Sequence, residues 1–171
     1  MTSTDPLVAL ARNTIDLYVR SHTVPAQSEL PEELPPQAGC FVSIHTLSSG
    51  ELRGCIGTIA PTASSLAAEV IRNAVAAATE DPRFPAIGVA ELDDLEVSVD
   101  VLFAPEPATQ NELDPKTYGV IVTQDWRRGL LLPDLEGVES STEQLRIACL
   151  KAGIDPTSRY EIERFRVVRH V

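Results

Sequence analysis

Hydrophobic and polar positions follow two periods along this chain, and the changes between them mark out its elements. Leu7, Leu10, Ala11, Leu17 and Tyr18 keep a helical stripe behind Asp5-Pro6, a good cap followed by a residue suited to the first helical position. This predicts a helix ending near Ser21. Cys40–Leu47 and Glu51–Ile59 alternate with period two around Ser48-Ser49-Gly50, which predicts a hairpin. Leu66, Val70, Ile71, Ala74 and Ala78 line one face of an alanine-rich helix over about 63–79. Leu95, Val97, Val99, Val101 and Phe103 alternate with Glu96, Ser98 and Asp100 as a half-buried strand does, and Pro105 and Pro107 stop it. A second hairpin spans Tyr118–Thr123 and Gly129–Leu132. Ser140-x-x-Glu143 reads as a capping box before a helix ending at Gly153, lined inside by Leu145, Ala148, Cys149 and Ala152. A last strand covers about Tyr160–Val168. Successive hairpins with interspersed helices predict an α+β fold with a mainly antiparallel sheet and flanking helices. Pro25, Pro31, Pro35 and Pro36, with Glu29, Glu32 and Glu33, make residues 23–38 a long loop, either packed over the surface or a mobile flap.

The first hairpin carries the chemistry, and its register decides what shares a face. With Ser48-Ser49-Gly50 as a three-residue loop and Gly50 in the left-handed position, Leu47 faces Glu51, His45 faces Arg53 and Ser43 faces Cys55. Val42, Ile44, Leu52 and Ile56 then form one face, and Ser43, His45, Arg53, Cys55 and Gly57 the other. A slip by one residue would mix them, so segregation favours this register. It sets a thiol beside a guanidinium and near an imidazole. A nearby cation favours the thiolate, the nucleophilic form, and Gly54 and Gly57 leave room for a ligand at the backbone. The alternative is structural: cysteine is commonly a small buried hydrophobe, and the glycines admit a close-packed helix. Asp81-Pro82-Arg83-Phe84-Pro85 is a stiff loop. Asp81 pairs with Arg53 or Arg83 to hold the loop to the sheet, or Arg83 is left to bind an anionic ligand.

Composition narrows the field. The 171 residues fit one domain, and the formal charge of −11 with scattered basic residues argues against nucleic acid as the main partner. The opening Met1-Thr2-Ser3-Thr4-Asp5 has no basic or long apolar leader pattern, and no apolar run approaches the ~20 residues of a membrane span. A cytoplasmic location without membrane association is therefore expected. Cys40, Cys55 and Cys149 lack Cys-x-x-Cys spacing, so neither a disulfide framework nor a metal site is expected, and no cofactor is predicted. No Gly-x-Ser-x-Gly elbow or phosphate loop is present.

Leu52-Arg53-Gly54-Cys55-Ile56-Gly57-Thr58, followed in order by Asp81-Pro82-Arg83-Phe84, Glu91-Leu92, Val97-Ser98-Val99, Gly129-Leu130-Leu131-Leu132-Pro133 and Lys151-Ala152-Gly153, resembles the AMMECR domain family, including the AmmeMemoRadiSam system protein A group. The chain departs from that pattern at Asp134-Leu135, where Gln-Val is commoner, and over Val138–Ser141, which lacks a tryptophan. The resemblance implies a two-lobed domain over residues 1–171, its larger lobe formed from both chain ends and its smaller a β-rich insertion, with the signature strand lining a cleft between the lobes; the hairpin register then predicts that Cys55, Arg53 and His45 line that cleft together. It also implies partnership with a Memo-like protein and a radical S-adenosylmethionine enzyme, and it supplies no established reaction. Two functions are carried forward. One is a ligand- or partner-binding component of an AmmeMemoRadiSam-type system, with Gly54, Gly57, Asp81 and Arg83 in its binding site. The other is an enzyme using Cys55 as nucleophile or redox thiol with Arg53 and His45.

Overall fold

In the computed structural model, which describes residues 5–171, Asp5 caps the first helix, α1 (Pro6–Ser21), by accepting from the Leu7 and Val8 amides through Oδ1. His22 closes that helix in a left-handed conformation, φ 56°. The reading of Met1–Thr4 as no leader lies outside the described residues. The hairpin follows as β1 (Gly39–Thr46) and β2 (Leu52–Gly57). Ser65 caps α2 (Leu66–Thr79), three residues later than its alanine content predicts, because residues 58–63 are held by α2 itself, as described below. A 3-10 turn at Val89–Asp94 leads into β3 (Leu95–Leu102). Then come the two-residue β4 (Glu106–Pro107), the hairpin of β5 (Tyr118–Gln124) and β6 (Arg127–Leu131), α3 (Ser141–Ala152) and β7 (Glu161–His170). The fold is α+β, with antiparallel strand pairing throughout and helices packed on the strands.

The chain divides into two compact units. The first comprises the described chain up to Leu102 with Val168–Val171. Its strands run β2-β1-β3, with the end of β7 beside β3. Val42, Ile44, Val99 and Val101 are fully buried and meet Leu7, Ile15, Val70 and Ala74 from the two helices. The 23–38 loop packs on this core through Leu30 and Leu34, and it is tied to the start of α2 by Gln27 and Gln37. The second unit, Phe103–Val167, pairs β5 with β7 on one side and β6 on the other, while β4 pairs with β7. Leu145, Ala148 and Cys149 of α3 pack on Val120, Val122 and Leu131.

Ser140 and Gly153 bound α3 as the sequence predicts, but only half of the capping box forms. Ser140 Oγ accepts from the Glu143 amide, whereas the Glu143 carboxylate turns to Arg146, 2.6 Å away. A guanidinium one turn along the exposed helix offers that carboxylate two charged donors, one to each oxygen, where the backbone offers a single neutral amide.

Candidate binding site around Cys55

The β1–β2 register is as expected at its centre and different at its end. Ser43 lies opposite Cys55, Val42 opposite Ile56 and Ile44 opposite Gly54. Between Ile44 and His45 the register shifts, and His45 lies opposite Leu52, not Arg53. The cause is the turn. Gly50 is left-handed at φ 71°, but its amide reaches Thr46 O and the Thr46 amide reaches Glu51 O, so the loop has four residues, Leu47–Gly50. The pairing of Leu47 with Glu51 therefore does not form. A bulge at Leu52-Arg53 absorbs the difference and restores the favoured register for Cys55. Leu52 thus leaves the apolar face, and His45 is not brought to the site: its ring makes no hydrogen bond to Arg53, Cys55 or Asp81 among the described residues.

The two glycines of the hairpin have packing reasons. A β-carbon on Gly54 would stand 2.2 Å from the Ala77 carbonyl oxygen of α2, and one on Gly57 would stand 2.3 Å from the Phe41 ring. Gly54 brings α2 down onto β2, and Cys55, the next residue, looks to the opposite face. There its Sγ lies 3.3 Å from Ser43 Oγ.

Around that thiol two arginines are held by two carboxylates. Asp81, nearly fully buried, stands where α2 gives way to the stiff loop, and of its two expected partners it takes Arg83. Its Oδ1 accepts from the Arg83 amide and Nε, both at 3.0 Å. Its Oδ2 accepts from Arg83 Nη2 at 2.8 Å and from the Cys55 amide at 3.0 Å. One carboxylate thus fixes the guanidinium and the outward-pointing amide of an edge strand. The hydrogen bonds from Arg83 outweigh burial and, with the backbone amides, hold the Asp81 carboxyl well below the usual carboxylate range. Arg53 is gripped elsewhere. Its Nε and Nη2 donate to Glu91 at 2.7 and 3.1 Å, and its Nη1 donates to Pro85 O at 2.9 Å. Arg53 holds the Glu91 carboxyl low, helped by the Gly88 amide. The Phe84 ring lies near both guanidiniums, 5.5 Å from that of Arg83 and 6.0 Å from that of Arg53. Glu91 offsets Arg53, so the cation that sequence reasoning placed beside the thiol is already matched. Arg83, 56% exposed, is the arginine that faces solvent within electrostatic reach of Cys55.

Glu91 was visible only as part of the family pattern, since its bond to Arg53 spans 38 positions. Glu69 was missed altogether. Fully buried on α2, it accepts from Thr58 Oγ1, Thr62 Oγ1 and the amides of Thr62 and Ala63 at 2.7–2.8 Å. Those bonds outweigh its burial and leave its carboxyl below the ordinary value. Its place beside Leu66, Val70 and Asn73 on the inward stripe was the available signal. It ties the connection from β2 to α2 and lends rigidity to the strand that carries Cys55.

All three cysteines are free thiols, and no group of three or more His, Cys, Asp or Glu suited to a metal occurs among the described residues. Cys40 is fully buried and its thiol is pushed up to about 12 by that burial, while burial also raises Cys149. Cys55 is half-buried. We predict that a small alkylating reagent labels Cys55 at least about tenfold faster than Cys40 or Cys149, because reaction needs both access and thiolate. Timed labelling with peptide mass spectrometry checks this, and equal rates would contradict it.

A family model described as AMMECR1 matches residues 8–170. The chain belongs to the AMMECR1 family. A Thermotoga maritima relative is 52% identical over 174 residues, covering 99% of each chain. A Clostridium acetobutylicum relative is 50% identical over 171 residues, and the match spans 97% of this chain but 36% of the relative. The crystal structure of an uncharacterised protein from Pyrococcus horikoshii superposes with a TM-score of 0.79 at 31% identity, over 95% of this chain and 88% of that one. The AMMECR1 fold thus covers this chain almost end to end. No helix among the described residues is long and apolar enough to cross a membrane.

Proposed function

We propose that this AMMECR1-family chain is a binding component, cytoplasmic and of an AmmeMemoRadiSam-type system, whose ligand or partner presents an anionic group to Arg83 beside Cys55. The observation that carries this reading is the Asp81 strut. A buried carboxylate spends both oxygens on the Arg83 fork and the Cys55 amide, yet leaves more than half of the Arg83 side chain in solvent. A guanidinium fixed in one orientation loses little entropy when it engages a carboxylate or phosphate. The Clostridium relative, in which this domain is about a third of the chain, supports a role alongside other protein segments. A Memo-like protein and a radical S-adenosylmethionine enzyme are the partners this proposal names.

Co-purification from native extract, with mass spectrometry of bound proteins and small molecules, tests it. Arg83→Ala is expected to lower recovery of the bound species about tenfold, a loss of the size expected for one charge-assisted contact. Equal recovery with wild type and Arg83→Ala would remove the support.

The second reading makes Cys55 a nucleophile or redox thiol. Its half-exposure and the neighbouring Ser43 hydroxyl favour it. Against it stands the position of His45 opposite Leu52, which leaves no general base hydrogen-bonded to the thiol among the described residues. Cys55→Ser separates the two: capture of the bound species survives under the binding reading, and any turnover is abolished under the enzymatic one.

A further inference from the structure

The first unit contains a junction that the Cys55 site does not use. Asp5 at the head of α1 offers one oxygen to the helix and the other to the far end of the chain: Oδ1 accepts from the Leu7 and Val8 amides, and Oδ2 lies 2.8 Å from His170 Nδ1. The pair joins residues 165 positions apart and is partly shielded, with side chains 15% exposed for His170 and 24% for Asp5. We propose that Asp5 and His170 form a pH-sensitive clasp, which fastens the end of β7 to the first turn of α1 and slackens as the imidazole gives up its charge.

An imidazole is the side chain whose charge ordinarily changes between pH 5 and 8. While it is charged, the bond to Asp5 is charge-assisted, roughly twice as strong as a neutral one. Burial raises the Asp5 carboxyl, but the hydrogen bonds from His170 and the Val8 amide more than offset that, so it stays ionised throughout that range. Arg169, the neighbouring residue on β7, donates to both oxygens of Asp100 on β3 at 2.8 Å. Raising the pH therefore loosens the tie to Asp5 and leaves, among the described residues, the Arg169–Asp100 pair and the pairing of β7 with β3. Because the slackened carboxylate is also the helix cap, the effect reaches the first amides of α1.

Hydrogen exchange reads it directly. Protection factors at Leu7, Val8 and Ala9, corrected for intrinsic exchange, are compared between about pH 5.5 and 8 in wild type, His170→Asn and Asp5→Asn. Asparagine at 170 keeps a donor near the Nδ1 position without a titrating charge, and asparagine at 5 keeps the cap. Wild type is expected to lose about two- to fivefold in protection on going to pH 8, the size of a partly exposed ion pair. Both variants are expected to show no such change. A wild-type profile as flat as the variants', or variants with the same pH slope as wild type, would overturn the proposal.

Discussion

Gly54→Ala is expected to cost about 3 kcal/mol, at the upper end of the range for overpacked sites. The new methyl would stand 2.2 Å from the Ala77 carbonyl oxygen and 3.2 Å from its carbon. Both atoms belong to a helix backbone, which cannot turn aside as a side chain can. Either α2 lifts from β2 or the strand bends, and both damage the packing of Ile44 and Val70. At ~2–4 °C per kcal/mol for a chain of this size, the melting temperature should fall by roughly 6–12 °C. Gly50→Ala is the control: it adds a methyl to open space at φ 71°, so its cost is that of left-handed alanine alone, about 1 kcal/mol. If both variants melt together within 2 °C, the close approach of α2 to β2 is not real.

Glu69→Ala is expected to cost about 3–5 kcal/mol. It strips a buried network of its acceptor, leaving the Thr62 and Ala63 amides and two threonine hydroxyls without their partner. Glu69→Gln should cost less, since the hydroxyls of Thr58 and Thr62 are free to rotate and accept from an amide while the carbonyl oxygen keeps the backbone donors. The same pair of variants gives a pH signature. Glu69 has its folded value below the ordinary 4.5, so its contribution is fully present above that value and is lost as the pH falls through the folded value. The advantage of wild type over Glu69→Gln in denaturant midpoint should therefore hold from about pH 6 to 5 and shrink towards pH 3. An advantage that grows on acidification would show that the carboxyl is protonated in the native state.

The local parts of the fold were legible in the sequence because their causes are local. Asp5-Pro6 starts α1, and Ser140 with Gly153 bounds α3, since caps act within a turn of the residue that makes them. The apolar faces of the strands set the register of Ser43 with Cys55, as burial of Val42 and Ile44 requires. The bulge at Arg53 was not legible. Turn geometry governs pairing near Gly50 and burial governs it near Cys55, and the two disagree by one residue, so a single register carried through the hairpin misplaces His45. The arginine partners escaped for another reason. Asp81 was the partner the sequence offered Arg53, and that Arg53 takes Glu91 instead depends on where the 3-10 turn at Val89–Asp94 lies in space. Glu69 is charged and so does not register in an apolar stripe, although its position beside Leu66 and Val70 places it on the buried face.

The proposal that Arg83 and Cys55 form one binding site is open to test by competition at the thiol. The rate of Cys55 alkylation is measured in wild type and Arg83→Ala, with and without the native extract fraction that binds the protein. The extract is expected to slow Cys55 labelling in wild type at least threefold, to leave Cys40 and Cys149 unchanged, and to have little effect on Cys55 in Arg83→Ala. Cys55 labelling that proceeds at the same rate with and without extract in wild type, or equal protection in Arg83→Ala, would contradict it.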